Sequence, residues 1–303
     1  MQDLTPFGKP IGILHGYHLD GSGSCIYVRN ITREFCRMGV DVVLLCQEPE
    51  PEKYDFLNEA YVYPIKGKPE TLFKRKNKFR GKGIFIRTSL PHGLLPVYVE
   101  GKFLGFENIK TFPRMTNQEL QDYIQGNVAT LKEVVRKYSI KTLYANHIIM
   151  MPYIAYLVKK DLKNLRYFLI PHGSEIEYTI KKDNRYFPLA EEALSHSNGI
   201  IFGQSGNDPE NFRTLQKFPS LSKKNTSDFH GCGRGFFLLS LENDPRIPIG
   251  GVKERDKSAT RIEVDSRNLR NLGKNHFVFR KLDSRERGTG SCCSRSPPPP
   301  GSS

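Results

Sequence analysis

The chain has 303 residues, enough for two domains of ordinary size, and a net charge of +14 that points to an anionic partner such as nucleic acid, a membrane surface or a sugar nucleotide. Its hydrophobic share of 38% is low for a globular chain, and the shortfall falls mainly after Gly203, where Arg, Lys, Ser, Gly and Pro dominate. No run of about 18 apolar residues and no charged-then-apolar N-terminus is present, which argues against a membrane-spanning helix or a secretory signal.

In chain order, Pro10–Gly16 is a short apolar run bounded by glycine and predicts a buried strand. Gly21-Ser22-Gly23-Ser24 forms a glycine-rich turn. A helix is expected over Ser24–Met38, with Ile26, Ile31 and Phe35 at helical spacing and Gly39 as its stop. Val40–Cys46 predicts a second buried strand, completing a βαβ unit. Lys53–Thr111 is less regular, and alternation around Gly83–Leu90 and Pro96–Phe106 predicts strands near a sheet edge or a hairpin insertion.

Thr116 and Glu119 match a capping box that opens a helix to Tyr138, with Leu120, Ile124, Val128, Leu131 and Val135 as its stripe. Lys141–Ala145 is expected as a strand, Met150–Lys160 as a helix, Leu165–Pro171 as a strand, Pro188–Ser195 as a helix and Asn198–Phe202 as a final strand. This alternation predicts an α/β fold, a Rossmann-like doubly wound parallel sheet over residues 9–202. Residues 203–303 end in a proline-rich stretch and are expected to be a low-complexity tail, mostly disordered.

Cys25, Cys36 and Cys46 fall in the expected regular elements and are read as buried thiols. With Cys232, Cys292 and Cys293 they show no metal-ligand spacing, so no metal is expected and a reduced, cytoplasmic protein is the default. About half of the charge excess lies after Gly203 and much of the rest in Leu72–Gly83. That run reads as a solvated loop or a contact for phosphate, lipid or nucleic acid. It lacks the regular aromatic interleaving of a base-stacking surface, and no nucleic-acid partner is expected.

Three polar segments lie just past predicted parallel strands: Gly16–Ser24, Asn146-His147 and His172-Gly173-Ser174. Ligands of open α/β sheets bind outside that edge, so the three segments should meet at one cleft. In the Gly21–Ser24 loop the helix-opening N–H groups suit a phosphate or a polar hydroxyl, although a tight strand-to-helix connection also needs such glycines. Ile26 stands where a dinucleotide fingerprint requires Gly or Ala, which argues against NAD. His172 either donates to a sugar hydroxyl or phosphate or is bonded to a nearby carbonyl. His147 either contacts a ligand or belongs to a helix start. Glu175 and Glu177 either contact an acceptor or bias a helical first turn, and Asp20 either orients a hydroxyl or caps its own turn.

The segment HGYHLDGSGSCIYVRNITREFCRMGVDVVLLCQ, followed in order by NHIIMMP and LIPHGSEIEYT, resembles the N-terminal domain of family-four retaining glycosyltransferases. The resemblance spans Lys9–Phe202. It implies the N-terminal half of a GT-B fold and sugar transfer from a nucleotide-diphosphate donor to a sugar or lipid-linked acceptor, without an obligatory metal or cofactor. By that resemblance Gly21, Ser22, Gly23 and Ser24 are donor-phosphate residues. Asp20, His147, Ser174 and Glu175 are acceptor-side residues, and His172 is the catalytic contact to the transferred sugar. Work in the cytoplasm, with peripheral contact at the inner membrane face, suits a lipid-linked acceptor.

The family's second domain, with its basic pair and paired glutamates, has no counterpart after Phe202. With chosen codons, Ser222–Phe237 and Lys274–Pro300 read in other frames resemble two of that domain's segments, as expected of a frameshift-derived tail. A truncated transferase with little or no turnover is therefore expected. A non-catalytic acceptor-binding module and a basic nucleic-acid-binding protein are the alternatives.

Overall fold

The computed structural model describes residues 9–203, 217–221, 229–231 and 236–240. It is an α/β fold built on one main sheet. The first unit is β1 (Ile11–Leu14), α1 (Gly23–Met38) and β2 (Val42–Leu45). Next come β3 (Leu57–Tyr63), β4 (Glu70–Lys74), β5 (Gly83–Thr88), β6 (Leu94–Val97) and β7 (Asn108–Thr111). Then follow α2 (Asn117–Lys137), β8 (Thr142–Asn146), α3 (Met151–Asp161), β9 (Arg166–Ile170), α4 (Tyr186–Ser195) and β10 (Gly199–Gly203). Two further strands are β11 (Phe229–Gly231) and β12 (Phe236–Ser240).

The main sheet has the order β11-β12-β10-β9-β8-β1-β2-β5-β3-β4. From β10 to β3 every neighbouring pair is parallel. β4 closes one edge antiparallel to β3, and β12 and β11 continue the other edge antiparallel. The chain first builds outward from β1 through β2 and then returns through α2 to β8 on the other side of β1. The strand order therefore reverses between β1 and β8, and the crevice of an open α/β sheet opens at such a point.

Alternate residues of each strand feed two cores. Ile11, Ile13, Val42, Leu44, Phe85, Tyr144 and Phe168 pack under α1 with Val28, Ile31 and Phe35. Leu14, Val43, Leu45, Ile86, Leu143 and Ala145 face α2, α3 and α4 on the other side. Each fully buried side chain of this size contributes about 1.5–3 kcal/mol. Thr116 caps α2, its Oγ1 accepting from Glu119 N at 3.2 Å while Glu119 Oε2 accepts from Thr116 N at 2.9 Å. Gly39 ends α1 in the left-handed region at φ 89°, where a side chain would be strained.

Three expectations need correction. Ile26 is 40% exposed, because the buried stripe of α1 runs instead through Cys25, Val28, Ile31, Phe35 and Cys36. Gly83–Thr88, expected near a sheet edge or in a hairpin insertion, is an interior strand: it lies between β2 and β3 and buries its apolar run on both faces. Glu175 directly precedes a π-helical turn, Ile176–Ile180, and Glu177 lies in its first turn, in place of a regular helix. Pro96 and Val97 pair with Lys110 and Thr111 in a separate parallel ribbon, β6–β7. Within the segment expected to be mostly disordered, β11 and β12 are described, β12 pairing with β10 and β11 with β12; Cys232, Cys292 and Cys293 lie outside the described residues.

Candidate functional site

The site forms where the C-terminal ends of β1, β8 and β9 meet. Asn146 ends β8 and donates through Nδ2 to Leu14 O at 3.0 Å, tying β8 to β1. Its Oδ1 is thereby left as an acceptor, 2.8 Å from His172 Nε2. His172 Nε2 must then carry the proton, and in the neutral ring Nδ1 bears the lone pair. The imidazole is enclosed by protein on most sides, with Tyr27 of α1 edge-on at 5.5 Å, while part of the residue stays open to solvent. Burial, followed by the charge of His147, lowers its pKa to about 3 against an opposing pull from Glu175, so the ring is neutral near pH 7.

Glu175 is fully buried and organises both histidines. Oε2 lies 3.0 Å from His147 Nδ1 and accepts from Ser174 Oγ at 3.5 Å, and Oε1 accepts from His172 N at 3.0 Å. Burial alone raises a carboxyl. Here the charge and hydrogen bond of His147, with His172 behind them, outweigh burial and hold Glu175 at about 2. His147 is itself buried, its ring stacked on His15 at 5.9 Å and tilted against Tyr98 at 4.5 Å. Its backbone takes φ 73° and Met150 takes φ 58°, two left-handed non-glycine residues within four positions. Such residues cost about 1–3 kcal/mol each and gather at ligand sites.

His15 directly follows β1 and is 1% exposed, with no hydrogen-bond partner at either ring nitrogen. Burial, then the charges of His147 and His172, push its pKa well below 6.5. A cavity of about 10 Å³, close to the space one water needs, touches His15, Gln47, Thr88, Tyr123 and Asn127. Tyr17 Oη accepts from Tyr98 N at 2.7 Å, and Phe103 and Phe106 from the β6–β7 connection press on His18 at 5.5 and 5.6 Å.

The first loop is held differently. Asp20 is exposed, ion-paired with Arg29, and accepts from Tyr54 Oη at 3.0 Å. Ser22 caps α1, its Oγ accepting from Cys25 N at 3.4 Å and lying 3.0 Å from Ser24 Oγ. Gly21 needs its glycine for φ 100°, whereas Gly23 has negative φ and open space where a Cβ would sit. Turn geometry therefore does not require Gly23 to be glycine.

Among the residues expected at the site, Asn146, His147, His172, Ser174 and Glu175 come together directly. Asp20 and Gly21–Ser24 do not touch them; they join the site through α1, by way of Tyr27. Sequence reasoning missed Glu48, a buried carboxylate two residues beyond Cys46. It accepts from Leu19 N at 2.9 Å, Glu50 N at 3.1 Å and Tyr54 Oη at 3.1 Å and so holds the first loop. Its only sequence signal is its place past a strand end. Cys25, Cys36 and Cys46 are buried free thiols as expected, and no cluster suited to a metal ion occurs among the described residues. No helix among those residues is long and apolar enough to cross a membrane.

No protein-family model and no curated protein matches the chain. Among solved structures, the chain is similar to a sucrose-phosphate synthase from Thermosynechococcus elongatus, with 14% identity and a TM-score of 0.34. The match covers 62% of this chain and spans 41% of that enzyme.

Proposed function

We propose that residues 9–203 are the acceptor-side domain of a retaining GT-B glycosyltransferase of the family-four kind. It works with a nucleotide-diphosphate sugar and a sugar or lipid-linked acceptor. The carrying observation is the His172 imidazole, held neutral by its surroundings and fixed by Asn146 beside the sheet's reversal point, with Nδ1 uncommitted. A neutral ring so held accepts a hydrogen bond from a sugar hydroxyl and cannot donate from Nε2, which is already engaged. Glu175 acts as a positioning residue, orienting His172 through its backbone N–H and His147 through its ring.

In the proposed transfer the bond between the anomeric carbon and the phosphate oxygen breaks, and its electron pair leaves with the diphosphate. The acceptor oxygen bonds to the same face and passes its proton to the departing phosphate oxygen. The first turn of α1 supplies free N–H groups and a positive dipole end toward the leaving phosphate, and Gly23 leaves the backbone open to close approach. His172 orients the transferred sugar. The whole reaction, its cytoplasmic setting and contact with the inner membrane face belong to this proposal.

The full chain, proposed to turn over little or not at all, is to be titrated with a panel of nucleotide-diphosphate sugars and simple glycosides, following binding by calorimetry. Binding of at least one of them that weakens at least about tenfold in His172→Ala is expected. Binding indifferent to His172→Ala, or absent with every ligand, counts against the proposal.

A further inference from the structure

We propose that the end of β4 and its connection to β5 form a rigid docking strip for an anionic lipid surface. It enters β5 at its N-terminal end, so it lies on the sheet edge opposite the histidine site. Its residues alternate between anchors and cations. Phe73 and Phe79 pack against the α1-side core. Arg75 donates to Leu57 O at 2.9 Å, to Glu52 O at 2.8 Å and to Tyr54 O. Asn77 Nδ2 donates to Phe56 O at 2.9 Å and to Asn58 Oδ1 at 2.7 Å, and Asn77 Oδ1 accepts from Phe79 N at 3.0 Å. Gly81 N donates to Cys36 O at 2.9 Å, and its Cα lies so close to the Val40 backbone that a side chain has no room.

Between these anchors Leu72, Lys74, Lys76, Lys78, Arg80 and Lys82 are all exposed. Among the described residues none of the five cations has an acidic partner within ion-pair distance. The chain bends over residues 78–81, where Asn77 Oδ1 accepts from Phe79 N, and the cations alternate with the anchoring residues along it. The anchors hold the backbone in place before anything binds, so little further ordering is required on docking.

Two observations favour lipid over nucleic acid. The aromatic rings beneath the strip are occupied: Arg75 lies 4.8 Å from the Phe73 centroid and Arg33 lies 5.9 Å from that of Phe79, leaving neither free for base stacking. Leu72, 42% exposed and two residues before Lys74, supplies an apolar contact for the headgroup region. The inference rests on the membrane contact included in the proposed function, and its vesicle test can fail without any change in sugar binding at His172.

The test is co-sedimentation of the full chain with vesicles of phosphatidylcholine alone and of phosphatidylcholine mixed two to one with phosphatidylserine. The chain should pellet only with the mixed vesicles. Lys76→Glu with Lys78→Glu should weaken partitioning at least about tenfold. Lys102→Glu with Lys182→Glu, the same charge change on exposed residues elsewhere, should weaken it much less. Circular dichroism of both variants confirms that they fold. Equal loss in the two double variants, or no loss in the first, overturns the proposal. So does duplex oligonucleotide binding that depends on Lys76 and Lys78 where vesicle binding does not.

Discussion

At the C-terminal edge of the parallel sheet the polar groups turn inward, whereas at the N-terminal edge beside β5 they turn outward. Glu175, His147 and His15 are buried and are oriented by one another or by rings. Lys76, Lys78 and Lys82 stand in solvent while backbone carbonyls, Asn77 and Gly81 hold the chain beneath them. Polar groups buried in a low-dielectric site interact strongly and depend on complete pairing; exposed ones are screened and interchangeable. Stability should therefore be sensitive to side-chain chemistry at the first edge and to backbone clearance at the second.

The largest effect is expected at Glu175. Glu175→Ala strips His147 Nδ1 and His172 N–H of their buried partner and should cost about 3–5 kcal/mol in urea unfolding. A cost under about 1 kcal/mol would mean that water already reaches the pair. At the opposite edge, Gly81→Ala places a Cβ against the Val40 carbonyl and should cost about 1–3 kcal/mol, although no side-chain partner is lost. Near-native stability of Gly81→Ala would show that the loop is not held as described.

The inward edge should also be acid-labile. His172, at about 3, and His15 titrate below 6.5, and Glu175, at about 2, titrates below 4.5. Where a folded value is depressed, the unfolded chain binds more protons, so stability is present above the unfolded value and is lost as pH falls toward the folded one. Unfolding free energy should thus decline from about pH 6.5 downward, and more gently in His172→Gln. A profile flat between pH 6.5 and 5, or identical in the variant, would contradict this. The smallest effect belongs to Gly23→Ala: open space and negative φ predict no loss of stability and a gain of up to about 1 kcal/mol from helix propensity. A marked loss of stability there would reveal a steric demand that the loop does not show.

Much of this frame was legible in the sequence because it rests on local signals. Gly39, the Thr116–Glu119 box and the apolar runs of β1, β2, β8 and β9 each declare themselves within a few residues. So did the convergence of Asn146-His147 with His172, which follows from strand ends alone. β5 was misplaced because neither its pattern nor its position in the chain reveals that it slips between β2 and β3. Ile26 misled because it shares a spacing with Ile31 and Phe35 while sitting a step away from the buried stripe. Glu175 could not be assigned because its ring partner, His147, is 28 residues away in the chain. The basic run was visible as charge, but its alternation became meaningful only when Arg75 and Asn77 were seen to bond backbone carbonyls.

The most direct test of the central claim is long-range nitrogen–proton NMR of the histidine side chains, at pH 7, with and without the nucleotide-sugar and glycoside panel. The account predicts a neutral His172 ring protonated at Nε2, with its Nδ1 signal shifting when a sugar ligand is added. A His172 that is cationic at pH 7, protonated at Nδ1, or unmoved by every sugar would contradict it.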